Sequence, residues 1–135
     1  MDGVPYLDGG CAEKIPLSWA RSSGEEKIVV VRTRELEFRR KPGAPAIAER
    51  FYRKYPAFAN SLKSANENFN RTADELEQEA AAGKIFLIAP SKPVTVTRFD
   101  GDMEKLGDLY WLGYRDMQQR INELTTFLQN RESIL

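Results

Sequence analysis

The spacing of apolar residues changes several times along this chain, and each change marks an element. Ile28–Val31 ("IVVV") and the stretch from Ile85 to Pro90 ("IFLIAP") are nearly unbroken apolar runs, too dense to alternate. That is the pattern of strands covered on both faces in a parallel sheet. Between them, Phe58, Leu62, Ala65, Phe69, Ala73, Leu76 and Ala80 recur at steps of three or four residues, which predicts one narrow apolar stripe along a helix. Pro56 marks its start and Gly83 its end. A second stripe, Leu106, Tyr110, Tyr114, Met117, Ile121, Leu124 and Leu128, predicts a last helix with Asp102 as its N-cap. "VTVTRF", Val94–Phe99, alternates as an exposed or edge strand does.

The shorter signals fill the gaps. "VPYLD" reads as a short strand ending in a glycine turn, and "IPLSWARSSG" as a two-turn helix opened by Pro16 and stopped by Gly24. Arg32–Pro45 carries prolines, a glycine and many charges, and is expected to be a loop; "AIAERFYRKY" after it is expected to be helical. Strands of buried type and long amphipathic helices make an α/β protein. Two or three covered strands are too few for a doubly wound sheet, whose inner strands need partners on both sides, so the fold is expected to involve more chain than these residues.

Composition narrows the function. The chain has 135 residues, 41% hydrophobic and 30% charged, which suits one domain with a real core. Twenty basic residues balance twenty acidic ones, so no global field steers it to nucleic acid. A single cysteine, Cys11, excludes an internal disulfide and fits a reducing compartment, here the cytoplasm. No window approaches the roughly 20 apolar residues needed to span a bilayer. The absence of histidine excludes Ser-His-Asp and Cys-His relays and removes the commonest zinc ligand. No metal or cofactor is expected.

"YLDGG" (Tyr6–Gly10), followed by "EKIPLSWARSSGEEKIVVVRTR", resembles the C-terminal half of the patatin-like phospholipase domain, a family of serine lipid acyl hydrolases. "RKP", "FYRKYPA" and the long run from "SLKSANENFN" through "LGDLYWLGYRD" extend the resemblance, in its bacterial branch, over nearly the whole chain. It implies a three-layer fold with a mostly parallel sheet. Residues 1–34 would be the end of the catalytic core, and 35–135 a C-terminal extension of helices and strands. It also implies a Ser-Asp dyad, in which the serine of a G-x-S-x-G elbow attacks an acyl ester or phospholipid carbonyl and the aspartate of the DG[GA] motif activates it. Asp8 matches that aspartate, and Gly9 and Gly10 the glycines after it. A carboxylate is a weak base at its ordinary pKa of about 3.9, so such a role requires it to be held against the hydroxyl. Read on turn chemistry alone, Asp8 would merely close an Asx turn on its own backbone.

The elbow and its glycine-rich oxyanion loop are absent from the sequence. Ser18, Ser22, Ser23, Ser61, Ser64, Ser91 and Ser133 all stand in other contexts, and Ser22 and Ser23 read as helix-end caps. The chain is therefore expected to be a portion of a larger enzyme, inactive alone and prone to associate as a homo-oligomer through unpaired strands. The alternative is a non-catalytic module that binds a protein or a membrane surface. Cys11 reads as a packing residue. Arg32, Arg34, Arg39, Arg40 and Lys41 would supply peripheral contact with anionic lipid, diluted by Glu35 and Glu37, although charged loops are usually just solvated. Tyr110, Trp111 and Tyr114 read as core against the Phe58–Ala80 stripe rather than as an interfacial patch. Ala89 stands where the closest branch carries the arginine of Arg-Pro-Ser-Lys-Pro, so no role of that arginine transfers.

Overall fold

The computed structural model describes residues 3, 6–41, 43, 50–97 and 99–130. After a 3-10 turn at Gly9–Cys11, the order is α1 (Leu17–Ser22), β1 (Ile28–Val31), α2 (Pro56–Ala81), β2 (Ile85–Ile88) and α3 (Met103–Gln129). The protein is mixed α/β, with a two-stranded parallel sheet and two long helices. It divides into two compact units, Met1–Glu25 with Arg39–Glu75, and Glu26–Phe38 with Leu76–Leu135, so α2 contributes residues to both.

Local chemistry sets the helix limits. Pro16 precedes α1, and because it offers no side-chain cap the carboxylate of Glu13 takes its place, accepting from the Ser18 N–H at 3.3 Å and its hydroxyl at 2.7 Å. Gly24 and Gly83 sit at φ +79° and +73° after α1 and α2, the left-handed stop that glycine adopts without a Cβ clash. Asp102 caps α3 by accepting from the N–H groups of Glu104 and Lys105.

In the first unit, Leu17, Ala65, Phe69 and Ala73 are buried. The neighbouring face of α2 carries a polar stripe, Asn66, Asn70 and Asp74, spaced one turn apart. It grips the loop that returns to the helix. Asn70 exchanges two hydrogen bonds with the backbone of Arg40 (2.7 and 2.9 Å), and Asn66 donates to the carbonyls of Lys41 and Gly43. Asp74 takes the Arg39 guanidinium at 2.6 Å, while the Arg40 guanidinium lies over the Phe69 ring.

In the second unit, β1 and β2 pair in parallel with Ile28 opposite Ile85 and Val31 opposite Ile88, and the Arg32 N–H continues the ladder onto the Ile88 carbonyl at 2.8 Å. All four β2 residues are buried, as a doubly covered strand requires. The expectation of double coverage fails for β1: Val29 and Val31 are exposed, Val31 at 73%. Its unbroken apolar run recorded β propensity rather than burial on both faces. α3 packs on β2 through Phe127 and Phe86, whose ring centroids are 5.9 Å apart, and Arg120 donates to the Leu87 carbonyl at 2.7 Å.

Two further expectations are corrected. Tyr6–Asp8 form no strand, and Val4 and Pro5 of that segment lie outside the described residues. Residues 94–97 alternate in burial but are not a strand. Side chains do the work of the missing ladder: Arg34 donates to the Val94 and Val96 carbonyls, and the Glu35 carboxylate accepts the Val94 N–H at 3.0 Å. The loop expected over Arg32–Pro45 is present at 32–41, with 42, 44 and 45 outside the described residues, and its arginines make intramolecular contacts, Arg40 while remaining exposed. Arg32 is buried, 3.5 Å from Glu77, with its guanidinium on the carbonyls of Leu36 and Phe38. Of "AIAERFYRKY", Arg50 and Phe51 are helical and 52–54 form a turn; 46–49 lie outside the described residues.

The α3 stripe also divides. Leu106, Met117 and Leu124 are partly covered, whereas Tyr110, Tyr114, Ile121 and Leu128 are exposed. Leu109, Leu112 and Phe127, outside the expected stripe, are half-buried instead. Trp111, expected in the core, is 53% exposed and stacks edge-on between Tyr110 and Tyr114.

Two measurements check this architecture. Leu76 is fully buried, so Leu76→Ala should lower the unfolding free energy by about 2–5 kcal/mol in urea titration. The Glu35 carboxyl is held below its ordinary value of 4.5, first by the Val94 N–H and its own N–H and then by the Arg34 and Arg32 charges, which outweigh its burial. A depressed carboxyl stabilises the fold above its unfolded pKa and loses that contribution as pH falls through the folded one. The urea-midpoint gap between the native chain and Glu35→Gln should be full at neutral pH and close as pH drops below 4.5.

Candidate functional site

The Asp8-Gly9-Gly10 turn belongs to the first unit. Asp8 has extended backbone (φ −54°, ψ 129°) and stands as N-cap of the 3-10 turn, its side-chain Oδ1 accepting the Gly10 N–H at 2.7 Å. Its carbonyl accepts the Cys11 N–H at 3.0 Å, and the Gly9 carbonyl accepts from Ala12 and Glu13. The Lys14 ammonium donates to the Gly10 carbonyl at 3.1 Å. The Asx turn expected from turn chemistry is therefore formed, with the carboxylate fixed through one oxygen and the residue exposed.

The two glycines are not equivalent. A Cβ on Gly10 would lie 3.1 Å from Asp8 Oδ1, tighter than ordinary packing, whereas one on Gly9 would meet nothing within 4 Å. Gly10 is thus the glycine that lets the carboxylate close onto the backbone.

A cleft of about 380 Å³ adjoins the turn, bordered by Glu13, Lys14, Ser18, Arg21, Asn68 and Arg71 among others. Its charges are mostly paired: Glu75 receives Arg21 at 3.6 Å and Arg71 at 3.9 Å. Cys11, the last residue of the 3-10 turn, is half-buried, and its carbonyl accepts the Ser61 hydroxyl at 3.2 Å.

None of the described serines donates to Asp8. Ser22 and Ser23 donate to the carbonyls of Trp19 and Ala20, the helix-end bonds expected of them. Ser64 donates to Asn60 and Ser61, and Ser133 lies outside the described residues. Two serines do face carboxylates: Ser18 meets Glu13, and the Ser91 hydroxyl lies 2.6 Å from Asp116. In both pairs the carboxylate also accepts the serine's own backbone N–H, which makes the acid a backbone anchor rather than a base reserved for a hydroxyl. No group of three His, Cys, Asp or Glu side chains that could hold a metal occurs among the described residues. No helix among them is long and apolar enough to cross a membrane.

Sequence reasoning missed the Asn66-Asn70-Asp74 stripe and the Arg34-Glu35 clamp. The one-turn spacing of the first was visible; nothing in the sequence named the backbone that either would hold.

A family model described as "Domain of unknown function (DUF6363)" matches residues 55–129, more than half of the chain. The match takes in the whole of α2, β2 and α3, and lies C-terminal to the Asp8 turn. No curated protein and no solved structure matches.

Replacing Gly10 by alanine should push the Asp8 carboxylate away and weaken its bond to the residue-10 amide. Faster hydrogen exchange at that amide in Gly10→Ala, with no change in Gly9→Ala, is the expected NMR result.

Proposed function

The chain belongs to the DUF6363 family, and for this member of it we propose a place as the C-terminal portion of a cytoplasmic patatin-like serine acyl hydrolase, with Asp8 as the base of its Ser-Asp dyad. The observation that carries the reading is the Asp8-Gly9-Gly10 sequence in its extended context, with the carboxylate presented at an exposed turn and oriented by the Gly10 N–H.

In this reading the nucleophilic serine and the oxyanion donors come from residues outside these 135, since no G-x-S-x-G elbow occurs among them. Asp8 takes the hydroxyl proton as the serine oxygen bonds to the acyl carbonyl carbon. The proton then passes to the leaving alkoxide as the ester bond breaks, and water releases the acyl group from the serine. The two-stranded sheet supports the same reading: parallel sheets are normally covered and wider than a single pair, so further strands would complete a three-layer fold. For the chain by itself, exposed Val29 and Val31 favour homo-oligomerisation.

A second reading, a non-catalytic interaction module, is favoured by the exposed Tyr110-Trp111-Tyr114 stack, which resembles an interfacial aromatic patch.

Substitutions at Asp8 separate a base from a turn-former. Asparagine caps and closes Asx turns as well as aspartate does, but it cannot accept the proton. In the full-length gene product, Asp8→Asn should keep stability within about 0.5 kcal/mol and lower kcat/KM for p-nitrophenyl butyrate by roughly 10²–10⁴-fold. Retained activity in Asp8→Asn would reduce Asp8 to a turn residue. Hydrolysis by the 135-residue chain alone would overturn the assignment of the nucleophile elsewhere.

A further inference from the structure

A second concavity lies wholly within the other unit, between the segment Lys92–Val96 and the face of α3 from Lys105 to Arg115. Its volume is about 300 Å³, at the small end of ligand pockets. Val94, Val96, Leu109 and Leu112 supply its apolar surface. Lys92, Lys105 and Arg115 supply three cations against one acid, Asp108. Lys105 is 3.6 Å from Asp102, while Lys92 and Arg115 are exposed and engage no acid among the described residues.

Part of the backbone of one wall is already held by side chains. Arg34 holds the Val94 and Val96 carbonyls and Glu35 the Val94 N–H, so at these residues the wall presents side chains rather than a free strand edge. A ligand therefore meets cations and apolar side chains there, without a ladder to extend.

We propose that this groove binds the carboxylate of a medium-chain fatty acid, the head group taken by Lys92 and Arg115 and the acyl chain laid over Val94, Val96, Leu109 and Leu112. Charge complementarity selects an anion, and the apolar surface beside the cations selects one with a hydrocarbon tail. The two free cations recognise a carboxylate by charge-assisted hydrogen bonds, the arginine with the fork geometry that suits it. The assignment does not depend on the hydrolase reading, because Asp8 lies in the other unit.

Trp111 stands one helical turn from both Asp108 and Arg115, which makes its fluorescence a reporter of the groove. The protein carrying Trp19→Phe should show a saturable Trp111 signal with decanoate below its micelle-forming concentration, and much weaker responses to decanol and acetate. Lys92→Gln with Arg115→Gln should raise the decanoate Kd roughly tenfold or more. Asp8→Asn should leave it unchanged, so failure of either reading is distinguishable from failure of the other. Circular dichroism melting of the double variant, expected to match the parent because both side chains are exposed, separates lost binding from lost folding. The proposal is overturned if decanoate gives no saturable signal, if acetate matches it, if the folded double variant binds it equally well, or if only phosphatidylglycerol vesicles produce the response.

Discussion

Parallel pairing of Ile28–Val31 with Ile85–Ile88 is the constraint on which the second unit depends. Antiparallel neighbours can be joined by a two-residue turn, but parallel strands must be joined by a crossover long enough to return to the same end of the sheet. Residues 32–84 connect the two strands, and α2 lies within that connection. The glycine stop at Gly83, two residues before β2, ends α2 and lets the chain enter β2 in register with β1.

Among the described residues the sheet has two strands, which leaves backbone groups without a ladder, and side chains supply much of what further strands would. Arg120 occupies the Leu87 carbonyl, Arg34 and Glu35 hold the extended segment at 94–96, and buried Arg32 ties the turn after β1. Within the first unit Asn66, Asn70 and Asp74 perform the same service for the loop at 39–43. Backbone polar groups removed from water must find partners, and guanidinium and carboxamide groups reach them across irregular spacing that a strand cannot. Four of the five basic residues from Arg32 to Lys41 are thereby drawn into intramolecular contacts.

Two chemically distinct places result, one in each unit. The Asp8 turn offers an oriented carboxylate beside a cleft whose charges are largely paired; the α3 groove offers unpaired cations beside an apolar surface. The first is built by turn chemistry within three residues. The second exists because α3 turns Leu109 and Leu112, rather than Tyr110 and Tyr114, toward the rest of its unit. The stripe read from 106 to 128 keeps close to the helical repeat of about 3.6 residues and so holds one face, but the covered face lies to one side of it, through Leu109, Leu112 and Phe127.

The sequence by itself determined what is local. Pro16, Gly24, Pro56, Gly83 and Asp102 bound their helices where expected, because capping and left-handed stops act within a turn. The "IVVV" and "IFLI" runs became strands because β-branched and bulky apolar side chains favour that backbone. The Asp8–Gly10 bond likewise spans two residues and was legible for that reason. Only the tertiary structure decided which apolar residues are covered, leaving Val31 and Trp111 in solvent, and where each arginine is spent. Burial and ion pairing are properties of partners distant along the chain. Arg34 meets Val94 across 60 residues, a distance over which spacing carries no signal.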